Sequence, residues 1–84
     1  MYYTYILRCA DQSLYAGCTN DLEKRIREHN ELKSGAHYTK IRRPVVLVHY
    51  EQFETLKEAR AREAAIKRLD RKDKLDLVRG STII

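Results

Sequence analysis

The first 20 residues carry two charges, Arg8 and Asp11, and every other charge of the chain lies beyond them. A stretch so poor in charge has to lie within the fold, and its composition says in what form. Residues 2–9, YYTYILRC, are aromatic and β-branched, which suits a strand. Residues 14–19, LYAGCT, suit a second, and Ala10-Asp11-Gln12-Ser13 between them is turn-like. The N-terminal segment therefore predicts a β-hairpin.

The charged remainder reads as helices around a third strand. Thr19-Asn20-Asp21 offers helix N-caps, with Glu23 at capping-box spacing from Asn20. A helix of about twelve residues is expected to follow, with Leu22, Ile26 and His29 on one stripe and a stop near Ser34-Gly35. A basic loop, GAHYTKIRRP, runs to Pro44. The unbroken VVLV that follows predicts a strand from Val45 to Glu51, covered on both faces. A helix from Glu54-Thr55 puts Leu56, Ala59, Glu63 and Ile66 on one stripe, and residues 70–78 form a further helical piece. The tail from Gly80 is expected to fray. The expected class is α+β: a three-stranded antiparallel sheet flanked by helices in the order ββαβαα, forming one domain over residues 1–84.

A chain of 84 residues with glycines only at 17, 35 and 80 has no dinucleotide or P-loop fingerprint, so no nucleotide cofactor is expected. No apolar run reaches the roughly 18 residues of a membrane span. Cys9 and Cys18 form no CxxC motif, and the expected compartment is the reducing cytoplasm. The net charge of +5 favours an anionic partner, nucleic acid before others. That excess sits on residues 21–44, with seven Lys/Arg against four Asp/Glu, and on residues 57–74, with eight against four.

Some polar residues stand where the pattern calls for apolar ones. Glu63 lies on an inward helical stripe, where a carboxylate needs either an ion pair, for instance with Arg60 or Lys67, or a bound cation. Arg25 and His29 share a helix face at i and i+4. Six tyrosines stand against one phenylalanine, which keeps phenol oxygens where Phe would be buried at lower cost. Tyr5 and Tyr15 share a face of the hairpin only if residues paired across the turn sum to an even number. A three-residue connection, Ala10 to Gln12, meets that condition.

The order of these residues resembles the GIY-YIG nuclease superfamily. Tyr3-Thr4-Tyr5 and, ten residues on, Tyr15-Ala16-Gly17 look like its paired tyrosine signature. Arg25 follows Tyr15 by ten residues and His29 by fourteen. GAHYTKIRRPVVLVHYE, then EAxxxE ending at Glu63, and IKRL are similar to the small single-domain bacterial members. The resemblance covers residues 2–78. One departure is that many members carry an asparagine after the glutamate, whereas the asparagines here are Asn20 and Asn30.

The resemblance implies hydrolysis of phosphodiester bonds in nucleic acid, DNA rather than RNA, with one divalent ion, Mg²⁺ or Mn²⁺. Glu63 matches the metal-binding glutamate. Arg25 matches an arginine suited to non-bridging phosphate oxygens. Tyr5 and Tyr15 match the signature tyrosines, the first as general base and the second orienting water or phosphate. His29 matches a position held by His or Tyr. A phenol with a pKa of about 10 is a poor base at neutral pH, so Tyr5 needs help from Arg25, from the metal, or from His29 as proton acceptor. Thr39, Lys40, Arg42 and Arg43 in the basic loop, with Lys67 and Arg68, are the expected nucleic-acid contacts, joined by Arg71, Lys72 and Lys74. The alternative is a non-catalytic nucleic-acid-binding module on the same fold.

Overall fold

In a computed structural model, which describes residues 1–31 and 36–80, the N-terminal hairpin forms as expected. Strand β1 spans Tyr2–Arg8 and β2 spans Leu14–Thr19. Cys9 N–H donates to Ser13 C=O and Gln12 N–H to Cys9 C=O, both at 2.9 Å. The connection is thus the three residues Ala10 to Gln12, and Gln12 closes it at φ 71°, the left-handed position of a three-residue hairpin loop. Tyr5 pairs with Gly17 and Leu7 with Tyr15. Every pair sums to an even number, so Tyr5 and Tyr15 share a face.

The remaining elements are α1 (Leu22–Glu31), α2 (His37–Lys40), β3 (Val46–Phe53), α3 (Leu56–Lys67) and α4 (Arg71–Arg79). The order is the expected one with a single addition: part of the basic loop forms the one-turn helix α2. Of the three N-caps offered for α1, the structure uses the last. Asp21, not Asn20, accepts from Lys24 N–H at 3.1 Å. The expected stop of α1 at Ser34-Gly35 and the tail beyond Gly80 lie outside the described residues. Thr55 and Asp70 cap α3 and α4 by accepting from the backbone N–H three residues on.

The sheet is antiparallel, with strand order β2-β1-β3. That order corrects the reading of VVLV. β3 is an edge strand, and Val46 is exposed while Val45 and Val48 are buried. The strand covered on both faces is β1, whose Thr4, Tyr5, Ile6 and Leu7 are all buried. A central strand receives packing from both sides, and an edge strand with helices over only part of its length does not. A register shift between Ile6 and Leu7, where the partners move from His49 to Leu47, bends this edge.

Two apolar layers sandwich the sheet. On one face Tyr5, Leu7, Cys9 and Val45 receive Leu22 and Ile26 of α1. On the other, Ile6, Ala16 and Val48 receive Ile66 of α3 and Leu77 and Val78 of α4. Each fully buried Ile or Leu stabilises the fold by about 1.5–3 kcal/mol. The Thr4 hydroxyl donates to Ala59 C=O at 2.6 Å, which seats α3 closely on β1. The two helices α1 and α3 therefore flank opposite faces of the same hairpin, and β2 is the free edge between them.

Candidate active site

Tyr5 and His29 are brought together by the packing of α1 on β1. His29 is fully buried, at 0% exposure, on the stripe that also carries Ile26. The end of α1 is fixed by two further links. Asn30 accepts from Val45 N–H at 2.7 Å and donates to Val45 C=O at 3.0 Å. The Arg43 guanidinium donates to the carbonyls of His29 and Glu28. With α1 so held, His29 Nε2 lies 2.9 Å from the Tyr5 hydroxyl, and Nδ1 lies 2.7 Å from Thr39 Oγ1.

The third member of that chain decides the tautomer. The single hydroxyl proton of Thr39 is donated to Ala36 C=O at 2.9 Å. Thr39 Oγ1 therefore accepts from His29, and the ring proton sits on Nδ1. Nε2 is left bare and accepts from the Tyr5 hydroxyl. Burial and the Arg25 charge hold the His29 imidazole down to about 4, so it is neutral. Burial pushes the Tyr5 phenol up to about 12, against the lowering effect of a hydrogen bond from Arg25. Arg25 in turn pairs with Glu28 at 3.2 Å.

Gly17 makes room for this phenol. A Cβ at Gly17 would lie 2.7 Å from Tyr5 Cζ, closer than real contacts come. The glycine of the second signature is thus demanded by the tyrosine of the first, its cross-strand partner.

Tyr15 lies on the same face and extends the cluster outward. Its ring meets the His29 ring edge-on at 5.2 Å and stacks on Tyr38 at 5.7 Å. The Arg42 guanidinium lies over the Tyr38 ring, 3.8 Å from its centroid. Arg42 also donates to Asp11 Oδ2 at 3.1 Å and to Tyr38 C=O at 3.0 Å. A column thus runs from Arg42 through Tyr38, Tyr15 and His29 to Tyr5.

Glu63 stands on the other side of the sheet. It belongs to α3; burial and, after it, Glu63 push the Cys18 thiol of β2 up, against the lowering effect of Arg60. The Glu63 charge also acts on the Tyr5 hydroxyl, raising it further. Glu63 Oε2 pairs with Lys67 Nζ at 2.7 Å, so of the two ion-pair partners left open by the sequence it is lysine that the structure shows. The site straddles the edge of β2: Tyr5, Tyr15, Arg25 and His29 on the α1 side, Glu63 and Lys67 on the α3 side. Among the described residues no three His, Cys, Asp or Glu side chains gather as a metal cage. One partly open carboxylate fits a hydrated hard cation of the Mg²⁺ kind, which keeps most of its waters, and does not fit a tetrahedral zinc site.

The expected nucleic-acid contacts divide. Thr39, at 0% exposure, is spent on His29 and Ala36 and faces no solvent. Arg42 and Arg43 are occupied in holding the loop to the hairpin turn and to the end of α1. A loop read only for its charges gives no sign of this, because the partners are backbone carbonyls and one distant carboxylate. Lys40 is partly exposed, and Lys67 at the end of α3 and its C-cap Arg68 are exposed. Tyr38, Gly17 and Cys18 were not singled out as site residues by sequence reasoning. The glycine had a visible signal, since it stands in the signature itself.

The family model for the GIY-YIG catalytic domain matches residues 1–76. The chain belongs to the GIY-YIG family. This is a nuclease-type family, and it implies nucleic acid as the partner. Over 83 residues the chain is 53% identical to a UPF0213 protein of Clostridium perfringens, covering 99% of this chain and 88% of that protein. It is 52% identical over 77 residues to a UPF0213 protein of Syntrophus aciditrophicus, covering 92% and 88%. The GIY-YIG fold is matched by the solution NMR structure of a UPF0213 protein from Bacillus halodurans. That comparison has a TM-score of 0.60 and 41% identity, and it covers 94% of this chain and 84% of that one. An E. faecalis protein solved by the same method gives a TM-score of 0.62 at 42% identity, covering 93% and 82%. No helix among the described residues of this GIY-YIG chain is long and apolar enough to cross a membrane.

Proposed function

We propose that this GIY-YIG chain hydrolyses phosphodiester bonds in DNA, using one divalent ion at Glu63 and recognising the backbone or structure of its substrate. The observation that carries the reading is the directed hydrogen-bond chain Tyr5–His29–Thr39–Ala36. A phenol raised to about 12 gives up its proton to water too reluctantly to serve as a phenolate at neutral pH. The chain supplies another route. Tyr5 accepts a proton from the attacking water at the same time as it passes its own to His29 Nε2. The phenol stays neutral and the positive charge ends on His29, whose Nδ1–H continues to donate to Thr39. Burial and the Arg25 charge oppose that imidazolium and Glu28 offsets them only in part, so the proton rests on His29 only transiently.

With 1% of its surface exposed, Tyr5 serves a water and not the nucleic acid itself. Arg25, beside the Tyr5 oxygen, is placed to offer its charge to the non-bridging oxygens of the attacked phosphate. Tyr15, less buried, borders the cleft where that phosphate would lie. A Mg²⁺ or Mn²⁺ ion would be held by Glu63 and water, and when bound it would supply charge for the phosphate and its leaving oxygen. Lys67, Arg68, Arg71 and Lys72, which are exposed, and the partly exposed Lys40 and Lys74 remain as backbone contacts. We place the protein in the cytoplasm.

The test is cleavage of a panel of duplex, branched and single-stranded DNA, with RNA as a further arm, in Mg²⁺ or Mn²⁺ and in EDTA. Metal-dependent nicking is expected, and Glu63→Gln and Tyr5→Phe should abolish it while binding survives. Binding of the panel with no metal-dependent cleavage would leave the non-catalytic module as the correct reading. Absence of any salt-sensitive affinity would remove both.

A further inference from the structure

A lysine kept only for phosphate stands free in solvent. The Lys67 ammonium instead lies 2.7 Å from Glu63 Oε2, on the carboxylate assigned above to the metal. The two residues are one turn apart on α3, so their pairing needs no tertiary constraint. The Lys67 side chain keeps 53% exposure and Glu63 keeps 21%. A pair that open is held weakly and is screened by salt.

Lys67 also has a second place to go. It lines a cleft of about 150 Å³ together with Tyr15, Tyr38, Lys74 and apolar residues that include Ile6 and Ile66. A flexible four-carbon stem lets one ammonium serve either the carboxylate or the cleft.

We infer that Lys67 is a displaceable counter-ion: it occupies the Glu63 carboxylate until a divalent cation binds there, and then carries its own charge to the phosphate in the Tyr15–Tyr38 cleft. The inference rests on the hydrolase reading above. Its physical content is a competition for one oxygen. Glu63 without Lys67 is more receptive to a cation. Lys67 released from Glu63 is one more phosphate contact.

Both halves are measurable on the full chain. In the first, the electron paramagnetic resonance signal of free Mn²⁺ is followed without nucleic acid for the wild type, Lys67→Met and Glu63→Gln. Lys67→Met is expected to bind Mn²⁺ at least threefold more tightly than the wild type, and Glu63→Gln at least tenfold more weakly. In the second, affinity for duplex DNA is measured against salt in EDTA and in Ca²⁺. One phosphate contact is worth a log–log slope of about 0.9. Lys67→Met should lower the slope by about that amount in Ca²⁺ and leave it unchanged in EDTA. Equal Mn²⁺ affinity in the wild type and Lys67→Met, or the same loss of slope in both buffers, overturns the inference and leaves Lys67 an ordinary surface cation. A wild type that binds no Mn²⁺ removes the metal reading itself, and the inference with it.

Discussion

The Tyr5 hydroxyl donates to His29 Nε2 across 2.9 Å, and the direction of that bond is imposed from the far side of the ring, where Thr39 accepts from Nδ1. Three elements meet in it: β1 supplies the phenol, α1 the imidazole and α2 the hydroxyl. In the proposed reaction this chain of hydrogen bonds would stand assembled before substrate arrives, sparing the transition state the work of organising it.

Thr39 is consequently expected to be a positioning residue. Thr39→Val keeps the volume but leaves the Nδ1–H without an acceptor, so the ring proton can settle on Nε2 and face Tyr5. Cleavage should fall at least tenfold, with DNA affinity unchanged, and ¹⁵N chemical shifts of the His29 ring should report the changed tautomer. Thr39→Ser should restore both. A Val variant with wild-type shifts and rate would show that the tautomer is not set there.

Tyr5→Phe removes the proton relay and leaves Nε2 buried without a donor. The expected loss is at least 10²-fold in cleavage, the lower end for general acid–base catalysis. Leaving a buried acceptor unpaired costs about 1–3 kcal/mol, to be read by urea denaturation.

His29 should also make stability pH-dependent. Its folded value of about 4 lies below the ordinary 6.5, so between those values the unfolded chain binds the extra proton. Stability from this residue is fully present above pH 6.5 and is lost as pH falls toward 4. At roughly 1.4 kcal/mol per pH unit the loss is about 3 kcal/mol. Denaturation at pH 7, 5.5 and 4 should show it in the wild type. His29→Gln should lack that component, and an equal slope in the two proteins would contradict the assignment.

Gly17→Ala brings a Cβ against the Tyr5 ring, which has Leu7, Ile26 and Leu47 in the same packed cluster and little room to retreat. Overpacking of this kind costs about 1–3 kcal/mol. The shifted phenol should lose its bond to His29, so cleavage falls further than stability alone explains. The check is activity measured well below the melting temperature.

Arg43→Ala separates a fold contact from a nucleic-acid contact. Its guanidinium donates to carbonyls at the end of α1. The melting temperature should fall by several degrees, as a loss of about 1–2 kcal/mol implies for a domain of this size. The salt slope of DNA binding should stay unchanged, whereas a phosphate contact would lower it by about 0.9.

The chain's local pattern determined a great deal. Strand and helix types followed from charge segregation and periodicity, because each element buries one face and its residues repeat with its geometry. The parity condition placed Tyr5 and Tyr15 together once the loop held three residues, since facing alternates along a strand. The unusual polar positions Arg25, His29 and Glu63 were visible for the same reason: each interrupts an apolar stripe.

Tertiary structure decided which strand is central. An apolar run states that a strand is buried, not on how many sides, so VVLV went to an edge and β1 to the middle. It decided the basic loop, which has no periodicity to read, by turning Thr39 inward to His29 and tying Arg42 and Arg43 to Asp11 and to α1. It also set Glu63 on the face opposite Tyr5 and His29, beside a lysine already bound to it. Periodicity says which side of an element faces the core. Only packing says what stands across from it, because that depends on residues far away in the chain.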